Sequence, residues 1–399
     1  MAKLLYTLLC LLLTIHILPA QSTIEKADKL ATEINQQVIK WRRHCHQHPE
    51  LSNREFKTAK YIAQQLRAMG LQVEEGIAKT GVVALLDTHK QGPTIGLRAD
   101  IDGLPVTERV DIPFKSTVTT QYNGKEVGVM HACGHDTHIA MLLGTASILT
   151  KLKDDLHGRY VFVFQPAEEG APKGEEGGAE LMIKEGILEK YNIDVFFGQH
   201  ISSQLEVGHI SYRLGGIMAA SDVLSIKVKG KQTHGSRPWA GVDPIVASAQ
   251  IIMGLQTIIS RQTELTKQAA VITIGAIHGG VRNNIIPEEV EMIGTIRTLD
   301  TTMQRIIHEK IRNTVTLIAE AQGATAEVDI KIGYPVTYND PALTREMIAS
   351  LFDAAGEDNV HIVPAITGAE DFSFFARRVP AIYYFVGGKP KGETNPAPH

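Results

Sequence analysis

Two textures of strand divide this 399-residue sequence, and the division constrains its fold more than any other feature. Up to Gly215, short strand-like runs such as "TIGLRAD", "RYVFVF" and "IDVFFG" alternate with helical segments, among them the apolar "IAMLLGTASILTKL". That alternation indicates an α/β domain, a mostly parallel sheet flanked by helices. Beyond Gly215 the runs "DVLSIKVKG", "AAVITIGAI" and "EVEMIGTIRTL" alternate apolar with polar residues, as half-exposed strands do. Two helical segments, "DPIVASAQIIMGLQTIISRQ" and "TTMQRIIHEKIRNTVTLIAEAQG", and a last strand "AEVDIKIGYP" complete a β-α-β-β-α-β order. This is the order of a ferredoxin-like α+β module. The tail then returns to helix and strand, closing on "AIYYFVGG", so the module reads as an insertion. Residues 216–335 interrupt a larger domain made of 21–215 and 336–399.

Composition narrows the class. The formal charge of −4 and the absence of a long basic run exclude a nucleic-acid partner on electrostatic grounds. At the N-terminus, "MAKLLYTLLCLLLTIHILPAQS" has one Lys, an apolar run from Leu4 to Leu18, and Pro19-Ala20-Gln21. It reads as a signal peptide over residues 1–20, which would export the protein to the periplasm or beyond. The alternative is an uncleaved anchor, since Leu18 is not the small residue expected three positions before cleavage. Cys10 would leave with the signal, and the mature chain would keep Cys45 and Cys133. Two cysteines in an exported protein invite a disulfide, which competes with metal binding at Cys133.

Ligands in open parallel sheets gather beyond the carboxyl ends of strands. Four stretches deliver metal-binding or acid–base side chains there. "TIGLRADIDGLP" supplies Asp100 and Asp102, "RYVFVFQPAEEG" supplies Glu168 and Glu169, and "VFFGQH" supplies His200. The fourth, "MHACGHDTH" (130–138), supplies Cys133 and His135 from either side of Gly134. Residues at i and i+2 do not share a helix face, so this pair converges only from a looped backbone, which glycine permits. Asp136 then suits the N-cap of the following helix, whose N-terminal end favours a Cys133 thiolate. His131 and His138 read as structural or supporting histidines.

Adjacent Glu168 and Glu169 point apart, so one can hold a metal while the other faces substrate as general base. Glu175 and Glu176, in the Gly-rich "KGEEGGA", read as solvated. Asp102 either orients a metal-bound histidine or serves as a turn residue before Gly103. A mixed Cys/His/Glu donor set suits Zn²⁺, with Mn²⁺, Co²⁺ or Ni²⁺ possible, and disfavours Ca²⁺ and Mg²⁺.

Taken together, "RRHCHQHPELS", "GLRADIDGLPV", "MHACGHDTHIAMLLG", "VFVFQPAEEG", "DPIVASAQII", "NNIIPEEVEMIGTIRT" and "GAEDFSFF" resemble the M20 metallopeptidases and amidohydrolases. The branch is that of the aminoacylases, hippurate hydrolases and auxin-conjugate hydrolases. The resemblance implies a catalytic domain with two divalent metal ions and an inserted lid that mediates homodimerisation. It implies Cys133, His135, Glu169 and His200 as ligands, Glu168 as general base and acid, and Asp102 as the orienting aspartate. From the lid it brings His234 to the substrate carbonyl, and Asn284 and Arg297 to the substrate carboxylate.

Two positions depart from the family pattern. Pro238-Trp239 stands where Pro-His is usual, which touches specificity rather than catalysis. The family's last ligand is a histidine near the C-terminus, and this sequence ends at "NPAPH". Either His399 is that ligand or the next residue is. The expected activity is hydrolysis of the amide of an N-acyl amino acid. The alternatives are a dipeptidase or carboxypeptidase acting on short peptides, and a binding protein with an incomplete metal centre.

Overall fold

The computed structural model describes residues 22–394, so the segment read as a signal peptide and His399 lie outside the described residues. Helix α1 (Thr23–Gln47) opens with a capping box, in which Ser22 and Glu25 satisfy each other's backbone N–H groups. It buries Trp41, Cys45 and His46 and is followed by α2 (Phe56–Ala68). Strands β1 (Gln72–Ile77), β2 (Gly81–Asp87) and β3 (Thr94–Asp100) come next, then a hairpin of β4 (Thr119–Tyr122) and β5 (Lys125–Gly128). Helix α3 (His135–Lys151) leads to β6 (Arg159–Gln165), the short helices α4 (Gly178–Lys184) and α5 (Ile187–Tyr191), β7 (Val195–Glu206) and β8 (Ile210–Tyr212).

The chain then crosses through β9 (Gly215–Met218) into a second unit. That unit consists of β10 (Ala220–Lys229), β11 (Thr233–His234), α6 (Pro244–Gln262), β12 (Ala270–Gly279), β13 (Ile285–Ile286), β14 (Glu289–Thr298), α7 (Thr301–Ala321) and β15 (Thr325–Ile332). It returns through β16 (Thr337–Asn339), and α8 (Pro341–Ala355), β17 (Val360–Ile362), α9 (Ser373–Ala376) and β18 (Ala381–Lys389) finish the larger unit.

The large sheet has eight strands in the order β1-β2-β6-β3-β7-β18-β8-β17. Its centre is parallel: β6, β3, β7 and β18 all run one way. Antiparallel pairs join β1 to β2, β2 to β6 and β18 to β8, so the sheet is mixed. Central strands are covered on both faces and read as near-continuous apolar runs, and β6 is buried from Val161 to Gln165. One face packs against α1, α2 and α3 through Ile62, Leu66, Ile139 and Leu143. The other carries a second core with Met182, Phe196, Phe372 and Phe375.

The smaller unit's sheet runs β12-β14-β10-β15, with every neighbouring pair antiparallel. Alternation along β10 turns Leu224, Ile226 and Val228 toward Ile251, Leu255, Ile311 and Val315 of its two helices. The two crossings lie side by side, because β9 pairs with β16.

Close packing at the centre of the large sheet depends on missing side chains. A Cβ at Gly96 in β3 would come within 2.6 Å of the Phe196 ring, itself stacked on Phe375 at 4.5 Å. Gly96→Ala is expected to cost about 1–3 kcal/mol through overpacking. Thermal melting checks this, and an unchanged midpoint would show that the phenylalanine stack yields freely.

Candidate metal centre and cleft

The site is assembled at the strand ends. Asp100 is the last residue of β3, and Asp102 lies two residues beyond it. Glu168 and Glu169 sit in the loop after β6, and His200 lies within β7, which continues further than its apolar run suggests. Cys133 and His135 flank Gly134, whose φ of 84° starts α3 in the left-handed region. A Cβ at Gly134 would also lie 2.4 Å from Ile201, so conformation and space both select glycine.

Asp136 is not the N-cap, because Gly134 already fills that position. Its buried carboxylate instead meets Arg42 Nε at 2.7 Å and His46 Nδ1 at 2.9 Å, both from α1. Nor does the helix end lower the Cys133 thiol; burial pushes it up to about 12, against the pull of His135.

The donors converge. His135 directs Nδ1 to the Asp102 carbonyl at 2.9 Å and its carboxylate at 3.2 Å. Nε2 of His135 is buried and has no hydrogen-bond partner. Around it lie Glu168 at 3.8 Å and Glu169 at 3.9 Å. Cys133 Sγ is 3.3 Å from His200 Nε2. Cys133, His135 and His200 could share one ion, as could His135, Glu168 and Glu169, since their donor atoms lie within 4.8 Å of one another. No disulfide joins Cys45 and Cys133. The backbone N–H of Ile201 donates to His138 Nε2, leaving Nδ1 to donate to Asp100 at 2.6 Å. Neither nitrogen of His131 has a partner, and burial lowers its pKa to about 4.

The glutamate loop is held from several sides. Ala167 adopts φ 52°, a conformation that costs a non-glycine residue about 1–3 kcal/mol and needs support from its surroundings. Glu55 accepts its N–H at 2.9 Å, and Asp102 accepts the Glu169 N–H at 3.1 Å. The Tyr334 hydroxyl donates to the Glu168 carbonyl at 2.7 Å.

Below the loop, the buried Arg98 guanidinium meets Asp100 at 2.7 Å, Glu370 at 2.8 Å and Asp371 at 3.0 Å. Burial, then Glu370 and Asp371, raises Glu168 well above the usual carboxylate range. Burial also raises Glu169 and lowers His200 to about 3, which leaves its imidazole neutral and able to ligate. Such crowded, buried carboxylates beside Cys and His donors fit a borderline divalent cation, which would supply the missing positive charge.

Beside these donors opens a cleft of about 1090 Å³, with Cys133, Glu168, Glu169 and His200 in its wall. Leu205, Met218, Val363, Ile366 and Phe385 make another part of the wall apolar. Arg297 reaches the cleft from β14, and its Nη1 is buried without a partner. His234 and Asn284 are brought together by the β11–β13 pairing but are not among the residues that line the cleft. His234 is exposed and bonded to Ser236.

Sequence reasoning missed Arg98, Tyr334, Glu370 and Asp371 as site residues. A lone arginine in the otherwise apolar "TIGL" run was the available signal for the first. Glu175 is also more than solvated: it binds Arg54 at 2.6 Å and Lys79 at 2.7 Å.

Residues 96–399 match the profile of peptidase family M20/M25/M40. The chain is 43% identical over 366 residues to thermostable carboxypeptidase 2 of Saccharolobus solfataricus, covering 91% of this chain and 89% of that protein. It is 40% identical over 317 residues to an N-acyl-L-amino acid amidohydrolase of Geobacillus stearothermophilus, covering 79% and 82% respectively. A solved dinuclear metal-binding M20 peptidase from Bacillus subtilis superposes with a TM-score of 0.75 at 33% identity, over 89% of each chain. The chain belongs to peptidase family M20 and is a metal-binding hydrolase of that family.

The loop's support generates a pH prediction. Burial and the neighbouring Asp102 raise Glu55 to about 7, against an ordinary value of 4.5. Folded protein therefore binds that proton more tightly than the unfolded chain, and stability falls as pH rises from about 4.5 to about 7. Glu55→Gln keeps an acceptor for Ala167 and should remove a loss on the order of 2 kcal/mol. Denaturant melts at pH 5 and pH 8 check this, with the variant gaining on wild type at the higher pH.

Proposed function

We propose that this protein hydrolyses the amide bond of N-acyl amino acids of the hippurate type. The observation that carries the reading is Glu168, buried at the cleft wall beside Cys133, His135, Glu169 and His200. We assign those four as ligands of two divalent ions, with His399 or a following residue as the last. Zn²⁺ or Mn²⁺ fits the donors best, with Co²⁺ or Ni²⁺ as substitutes. When bound, the ions acidify a water and polarise the scissile carbonyl.

Glu168 takes the proton from the attacking water and passes it to the leaving nitrogen, and its raised pKa suits both halves of that task. Asp102 orients His135 through Nδ1, leaving Nε2 to face the centre. Arg297, with its unpartnered Nη1 in the cleft, receives the substrate carboxylate, with Asn284 as a second contact. His234 reaches the carbonyl oxygen of the substrate held in a partner subunit's cleft, a reading supported by its exposure and its absence from the lining of its own cleft. The same assembly buries the apolar residues that the smaller unit leaves exposed, among them Met253 and Ile277.

A second reading, a carboxypeptidase or dipeptidase, is favoured by the relative named a thermostable carboxypeptidase. A substrate panel of acyl amino acids and dipeptides separates the two, with hippurate-like compounds expected to have the higher kcat/KM. Glu168→Ala is expected to lower kcat at least 10²- to 10⁴-fold while bound metal stays nearly unchanged. Activity equal to wild type would sink the mechanism. Cys133→Ser should lose metal in elemental analysis, whereas a binding protein without a centre would contain none from the start.

A further inference from the structure

Tyr334 connects the smaller unit to the glutamate loop by a hydrogen bond that the proposed reaction does not use. It lies between β15 and β16, where the chain returns to the larger unit. Its main chain belongs to the smaller unit: Ser221 N–H donates to its carbonyl at 2.9 Å, and Gly333 N–H reaches the buried Asp222 at 3.3 Å. Asp222 is itself held by His308 at 2.7 Å and by Gln304. A Cβ at residue 333 would lie 2.3 Å from the Ser221 carbonyl oxygen, so the strand pair is closed tightly there. The side chain then leaves that unit, sets its ring edge-on to Phe374 at 6.0 Å, and places its hydroxyl on the Glu168 carbonyl.

We propose that Tyr334 is a positioning residue that fixes the backbone of Glu168 and ties its aim to the placement of the smaller unit. The loop needs that fixing because Ala167, just before Glu168, is held at φ 52°. Two other side chains, Glu55 and Asp102, accept the N–H groups of Ala167 and Glu169 and belong to the larger unit. Tyr334 and Asp102 thus grip the same peptide, at the Glu168 carbonyl and the Glu169 N–H, but the Tyr334 bond comes from the smaller unit and breaks if that unit swings away on the paired β9 and β16 crossings.

The proposal rests on Glu168 being the base, so its test has a readout independent of turnover. In Tyr334→Phe, which keeps the ring, amide exchange of residues 167–170 should quicken about tenfold, with exchange in α3 and the melting midpoint unchanged. On whichever amide the protein cleaves best, kcat should fall about tenfold with KM within twofold of wild type and full metal content. Phe374→Leu, which disturbs the ring's packing without touching the hydroxyl, should leave kcat within about twofold. Unchanged exchange in the loop overturns the proposal, as does an equal loss of kcat in Phe374→Leu. A wild-type protein that cleaves no amide defeats the proposed function, while the exchange result still decides the role of Tyr334.

Discussion

The buried guanidinium of Arg98 is the interaction on which the rest of the site depends. It stands in a central strand with no exposed side-chain surface, where an unpaired charge could not persist. Its contacts to Asp100, Glu370 and Asp371, and to Gln165 through Nε, join β3, β6 and the segment before α9. Removing one partner from such a cluster typically costs about 3–5 kcal/mol, because the remaining charge stays buried. Each carboxylate then passes the constraint on. Asp100 holds His138, Asp371 accepts the Ala179 N–H that begins α4, and Glu370 accepts the Tyr383 hydroxyl from β18.

One arginine does not balance the floor of the cleft. Asp100, Asp102, Glu168, Glu169, Glu370 and Asp371 gather there, and burial together with the like charges drives Glu168 and Asp371 upward. The protein tolerates this concentration of negative charge at the place where Cys133, His135 and His200 offer soft and borderline donors. A divalent ion and the carboxylates thus stabilise each other, so metal affinity and local stability are linked.

Much of this was legible in the sequence where one local rule decided the outcome. The change from buried to alternating strands marked a β-α-β-β-α-β order, and the structure has those six elements in sequence, with the short paired strands β11 and β13 added between them. Gly134 between Cys133 and His135 announced a loop that turns both side chains inward, and its left-handed φ delivers it. Rules that compete with distant contacts failed. Asp136 has the chemistry of an N-cap, yet its carboxylate is taken by Arg42 and His46, about ninety residues away in sequence. Glu175 looked solvated until Arg54 and Lys79 were folded against it. Tyr334 had no local signature, since its meaning lies in a carbonyl oxygen from another segment.

The place of β18 in the large sheet has a consequence for the order of folding. This strand is formed by residues 381–389, yet it lies between β7 and β8, which end at Glu206 and Tyr212. During synthesis β7 therefore emerges with one edge unpaired and keeps it so while the whole smaller unit is being made. An open parallel edge invites pairing with other chains. The smaller unit has its own core and makes all the strand pairs of its sheet within residues 220–332, so it can condense while that edge is still open. The nascent chain then completes its large sheet only when β18 leaves the ribosome.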